Sequence, residues 1–223
     1  MKKLITTLAL ASLATGVFAQ GQIYFYNLGG GVTTNAVTSQ FASGYTATPG
    51  GSGKIASTAN GYYFTLLYDT AAVPANNNPL TAGWSQVTVG GTPVIGTNYN
   101  GIAGDMQGPK GTTTMLPDNW AAGQSGSFII VGWSASLGTT WSQVSGELAA
   151  NWASVTGAYN WFGVSSIGTG TPTASPAAPY NTFGGTGAPT ALVLNEVGTV
   201  PEPATMALAA LGGASLLLFR RKK

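Results

Sequence analysis

The chain contains no cysteine and no histidine, and it carries only eight Lys/Arg and six Asp/Glu side chains in 223 residues. That is 6% charged, against roughly 25% in an ordinary soluble domain. Without imidazole or thiol there is no Cys/His zinc site, no Ser-His-Asp or Cys-His triad, no usual haem or iron–sulfur ligation and no disulfide framework. Most familiar enzyme designs are closed to such a chain. The net charge of +2 is also uneven, because Lys2 and Lys3 open the chain and Arg220, Arg221, Lys222 and Lys223 close it. Between residues 20 and 199 the cations are Lys54 and Lys110, and the anions are Asp69, Asp105, Asp118, Glu147 and Glu196, a side-chain balance of −3. Nucleic acid is excluded as a partner on this count, since displacing counterions from phosphates requires clustered Lys/Arg.

What the chain does have is concentrated at its ends. Residues 1–19 read as a secretory signal: a basic start, an apolar stretch from Leu4 to Ala14, then Thr15-Gly16-Val17-Phe18-Ala19. Val17 and Ala19 supply the compact residues that signal peptidase requires three and one positions before its cut. Export machinery and signal peptidase are thus the first expected partners, with Ala19 and Gln20 flanking the cleavage. At the other end, Val200-Pro201-Glu202-Pro203 precedes an uninterrupted run of apolar and small residues, 204–219, and then the four-cation cluster. At 1.5 Å per residue such a helix lies near the lower limit of about 17 residues for crossing a bilayer. The prolines break any helix entering from the body, and the basic cluster favours the cytoplasmic side. The expected orientation, C-terminus in, agrees with a body already exported.

The order of motif, hydrophobic helix and terminal basic cluster resembles the PEP-CTERM sorting signal of Gram-negative bacteria, over residues 200–223 only. The resemblance implies recognition by an exosortase, an integral-membrane processing enzyme that cuts near the motif and passes the body to the envelope, cell surface or exterior. Pro201, Glu202 and Pro203 are then a recognition site, Arg220, Arg221, Lys222 and Lys223 a membrane stop, and the helix a transient anchor; the competing reading is a permanent single-span anchor. Glu202 is presented in extended form, because each proline fixes its own φ and disfavours helix in the residue before it.

The stretch from 20 to 199 is long enough for one domain with a real core. β-Branched and aromatic runs recur between Gly, Pro and Asn punctuation and predict strands at 22–27, 62–69, 84–89, 127–133, 161–167 and 191–197. In the first, Ile23 and Phe25 face one way and Tyr24 and Tyr26 the other. The expected fold class is all-β: a single β-sandwich, jelly-roll or Ig-like, with one short capping helix, flanked by the signal helix and the C-terminal transmembrane helix. That helix is read at 140–153, where Trp141, Val144, Leu148 and Trp152 line one stripe; the competing reading is a tryptophan-lined groove. The polar connections 28–61, 71–83, 96–124 and 168–188 exceed the usual loop length of about 12–15 residues, so additional short strands are expected in them.

No catalytic or metal site emerges, and no cofactor. Glycoside hydrolysis needs two carboxylates roughly 5–9.5 Å apart across the scissile bond, and nothing in the spacing of the five body acids favours a pair. No D-x-D-x-D-G calcium series is present. Gly50-Gly51-Ser52-Gly53-Lys54 is followed by Ile55 without a helical pattern, so it reads as a flexible loop rather than a phosphate cradle. The remaining candidates are aromatic, since exposed rings stack on sugars and neutral Asn, Thr and Gln bind hydroxyls. Trp120, in the polar stretch Asp118-Asn119-Trp120, is the suggested carbohydrate contact, with exopolysaccharide as the partner. The function expected is a non-enzymatic, structural or adhesive envelope or matrix protein, the alternative a carbohydrate-binding module, and a glycan-active enzyme the third reading.

Overall fold

The computed structural model describes residues 20–27, 32–35, 53–55, 61–69, 76–81, 83–99, 102, 104–109, 114–150 and 160–197. The expected signal segment with Ala19, the sorting motif at Pro201–Pro203, the 204–219 helix, the basic cluster and Trp152 lie outside the described residues. The strands in chain order are β1 (Ile23–Tyr24), β2 (Val32–Asn35), β3 (Gly53–Lys54), β4 (Tyr62–Asp69) and β5 (Ser85–Gln86). Next come β6 (Thr88–Val89), β7 (Thr92–Pro93), β8 (Gly96–Asn98), β9 (Met106–Gln107) and β10 (Thr114–Met115). Then follow β11 (Gly126–Ser134), a 3-10 turn at Ala135–Leu137, the helix α1 (Trp141–Ala150), β12 (Asn160–Val164), β13 (Gly168–Gly170), β14 (Tyr180–Asn181) and β15 (Leu192–Val197). The body is all-β with one short α-helix among the described residues.

The main sheet runs β3-β2-β15-β12-β11-β4-β8-β9, with β13 paired to β11 and β5 to β4. Its centre is the β4–β11 pair, antiparallel over eight register positions from Ser127↔Asp69 to Ser134↔Tyr62. All nine residues of β11 are buried, because both faces of this strand are covered, and a strand covered twice reads as a continuous apolar run. Alternation sorts the side chains into two cores. Phe64, Leu66 and Tyr68 of β4 join Phe128 and Ile130 of β11 in the first, whereas Leu67 joins Ile129, Val131 and Trp133 in the second. Gly132 lies opposite Phe64, and a Cβ there would meet the Phe64 ring at 2.9 Å; the missing side chain is the space that the ring fills.

Each core has its own lid. A three-stranded sheet, ordered β10-β1-β14, brings Ile23, Phe25, Met115 and Phe183 to the first core. Ile23 and Phe25 have no exposed surface, while Tyr24 and Tyr26, half-buried, meet edge-on at 5.3 Å, as the period of two requires. On the opposite face α1 brings Val144 and Leu148, with Trp141 partly buried beside them, to the second core. Three of the four expected stripe residues, Trp141, Val144 and Leu148, therefore share one face, and with that face the helix packs on the sheet. Its start is a capping box: Thr140 Oγ1 accepts the Gln143 N–H at 3.4 Å and Gln143 Oε1 accepts the Thr140 N–H at 3.1 Å, which satisfies donors that the first helical turn leaves open.

Two expectations are corrected. The segment 84–89 is not one strand, because Val87 turns inward: its N–H donates to Leu66 O at 2.9 Å and its carbonyl accepts from Val94 N at 2.8 Å. β5 thus pairs with β4 and β6 with β7, the latter hairpin closing through Gly90 (φ 58°) and Gly91 (φ 72°), the left-handed pair that a tight two-residue hairpin demands. The second correction concerns Gly53 and Lys54, which form a strand antiparallel to β2 instead of part of a loop. Short strands do occur within three of the four long connections; each has two to four residues, too few to show a period.

Candidate functional site

The residues nearest the expected sorting motif are those of β15. This strand is antiparallel to β12 on one side and parallel to β2 on the other, from Leu192↔Val32 to Asn195↔Asn35. Leu192, Leu194 and Val197 have no exposed surface, because the alternation sends the first two into one core and Val197 into the other. On β12, Gly163 lets the neighbouring backbone close in: a Cβ there would overlap the Val193 carbonyl. The strand is therefore interior to the sheet, and only residues 198–200 separate its end from Pro201. Four residue steps extend at most about 14 Å, so the motif is tethered close to the sheet end.

Trp120 does not stand open to solvent. Its ring has no exposed surface; it stacks on Tyr68 at 5.1 Å and 24°, tilts on Phe128 at 5.6 Å and meets Tyr180 edge-on at 6.5 Å. The indole N–H donates to Gln124 O at 2.9 Å. No face is left on which a sugar could stack, so the contact expected at this residue is corrected to a core anchor. The polar neighbours that suggested a surface loop knit the segment to the adjoining strands. Asn119 accepts the Thr88 N–H at 3.2 Å and donates to Gln86 O at 3.0 Å, and Asp118 Oδ2 accepts the Gly91 N–H at 2.7 Å.

The other indoles among the described residues are also packed. Trp133 and Trp161 are buried, Trp84 and Trp141 lie against the second core, and Trp141 tilts on Trp133 at 6.0 Å. Trp141 thus packs on the sheet face, while Trp152, the other indole of the expected groove, lies outside the described residues. Among the described residues the exposed large apolar side chains are Leu80, Tyr99, Ile102, Leu116 and Val193, of which only Tyr99 is aromatic.

The acids occupy separate settings. Asp69 closes β4 with its carboxylate against Gly83, Asp105 is buried in the β8–β9 connection, Asp118 pins the β6–β7 turn, and Glu147 is exposed on α1. Glu196 pairs through its backbone with Trp161. No group of three or more potential metal ligands gathers among the described residues, and among them no helix is long and apolar enough to cross a membrane.

The Gly91 N–H, and after it the Gly90 N–H, hold the Asp118 carboxyl below its ordinary 3.8, outweighing a smaller opposing desolvation. A depressed folded value means that the unfolded chain takes up the proton first. The turn contact therefore contributes in full above pH 3.8 and fades as pH falls through the folded value. Acid titration of the urea midpoint is expected to show this loss in the native chain and a flatter acid limb in Asp118→Asn. Burial raises the phenols of Tyr62 and Tyr180, and burial together with the Asp69 charge raises Tyr68, above 10.0. Their contribution has the opposite sign, complete below pH 10.0 and lost as pH rises beyond it; alkaline titration of the same midpoint is the check.

Comparison with known proteins places residues 199–222 in the family described as the PEP-CTERM protein-sorting motif. Searches of the curated proteins and of the solved structures each return no match. The C-terminal segment is thus a PEP-CTERM sorting motif, which marks an exported protein for an exosortase and directs it toward the cell envelope or surface.

Proposed function

We propose that the body is a structural or adhesive, non-enzymatic component of the cell envelope or extracellular matrix, put in place by its own disposable ends. The supporting observation is the position of the sorting motif, which begins two residues beyond Val197, the end of an interior strand. On this reading signal peptidase cuts between Ala19 and Gln20, the 204–219 helix halts in the inner membrane with Arg220–Lys223 on the cytoplasmic side, and the exosortase meets Pro201-Glu202-Pro203 beside a folded body. The short tether forces that enzyme to work within about 14 Å of the sheet end. The sandwich reading of the body belongs to the same proposal and is supported by the small sheet that lies against the first core.

A surface poor in charge and rich in Thr, Ser, Asn and Gly suits residence in hydrated polymer, where hydroxyl and amide groups exchange hydrogen bonds without counterions. The sorting half is tested by replacing Pro201, Glu202 and Pro203 together with alanine. Fractionation with immunoblotting is expected to show a full-length species held in the inner membrane, while the native protein reaches the envelope or medium shortened at its C-terminus. Equal processing and release of both would sink the assignment of the recognition site.

A further inference from the structure

We propose that Gln20 is a modification site: once freed by signal peptidase, the mature amino terminus closes on its own side chain to a five-membered lactam, pyroglutamate. The inference rests on the cut between Ala19 and Gln20 and goes beyond it. The chain behind Gln20 is firmly held. Gln22 and Thr173 exchange backbone hydrogen bonds at 2.7 and 3.3 Å, and Gln22 O also accepts the Tyr180 N–H at 3.0 Å. Gly21 is buried against Trp120 O, 2.8 Å from where a Cβ would be, and such a Cβ would overlap Pro172. Gln20 itself bridges to Ala121, yet its side chain is exposed, and among the described residues no hydrogen bond engages its amide.

These observations set up the reaction. A carboxylate beside the new α-ammonium would hold its proton on, but among the described residues the segments packed here, 120–124 and 172–173, contain only neutral side chains. An α-amine of ordinary pKa, about 7.7–8.0, is partly neutral near pH 7. The neutral nitrogen attacks Cδ of the side-chain amide, a new N–C bond forms, the bond from Cδ to the amide nitrogen breaks, and that nitrogen departs as ammonia with the proton the amine gives up. No oxidant, cofactor or second reactant enters. Both reacting groups belong to one residue on an anchored chain, so the step carries no association cost. The product has no positive charge at the terminus and no free α-amine for an aminopeptidase to grip, which suits a protein that persists outside the cell.

The test is mass spectrometry of the full-length gene product recovered from envelope and medium, with all free amines dimethylated before digestion so that lactam formed during work-up is not counted. The expected N-terminal peptide begins at residue 20, carries no dimethyl label and is lighter than the Gln form by one ammonia. Gln20→Ala is expected to give the same cut with a fully labelled terminus. A native peptide that begins with intact, dimethylated Gln20 overturns the lactam and leaves the cut standing. A peptide that begins at any other residue, or one that retains Met1, overturns the cut and the lactam together.

Discussion

Trp120→Ala is expected to cost the exported body about 3–5 kcal/mol, the range for removing a buried tryptophan or phenylalanine ring. The indole is enclosed by Tyr68, Phe128 and Tyr180 at the seam where the small sheet meets the main one, and three rings that pack against it cannot all collapse into the void. Loss of the Nε1–H hydrogen bond to Gln124 also leaves a carbonyl to find another donor. A cost of this size is a large fraction of the roughly 5–15 kcal/mol that holds a typical domain folded. Urea unfolding of the purified body measures it, and Trp120→Phe, which keeps most of the ring contact, is expected to fall between the two. An unchanged midpoint in the alanine variant would show that the ring is not a core member. Co-sedimentation with polysaccharide, normalised to folded protein, is expected to be the same in all three.

The second large effect separates body from tail by two stop positions. A chain ending at Thr199 keeps β15 whole and is expected to unfold cooperatively. A chain ending at Ala191 loses Leu192, Leu194 and Val197 from the two cores. At about 1.5–3 kcal/mol for each buried side chain, that loss rivals the entire stability of a domain of this size. It also removes the connection between β2–β3 and the rest of the main sheet, because β15 is the strand that β2 pairs with on that side. Near-UV circular dichroism through a urea series is the measurement: the longer chain shows a sigmoidal transition and the shorter one shows none. Equal transitions in both would mean that the sheet holds together without β15. Strand β2 finds its β15 partner only once residues as far as Asn195 are in place.

Strand β4 was legible to the residue, as Tyr62–Asp69, because five of its eight residues are aromatic or β-branched and two more are leucine, with no glycine or proline to interrupt them. β11 and β15 were legible within a residue or so at each end for the same reason. α1 was legible from Val144 and Leu148, and the T-x-x-Q at Thr140–Gln143 could have fixed its start. The two-residue strands could not be read. Thr92–Pro93 and Gly53–Lys54 have no period and little β propensity; they are strands because a neighbour offers them backbone partners. Trp120 carries no local mark of burial, since Asp118 beside it is exposed and Asn119 polar; the segment is held by their contacts to backbone N–H groups of the β6–β7 hairpin.

Sequence alone determined the address of this protein, since a sorting motif is read by its receptor as a linear string of motif, apolar run and basic cluster. It also determined the class of fold, because β-branched and aromatic runs between glycine and proline admit little else. Only the tertiary structure decided which rings are core and which strand closes the sheet. Burial and pairing depend on which distant segment arrives opposite, and residues as far apart as Trp120 and Tyr180, or Val32 and Leu192, carry no local mark of that meeting.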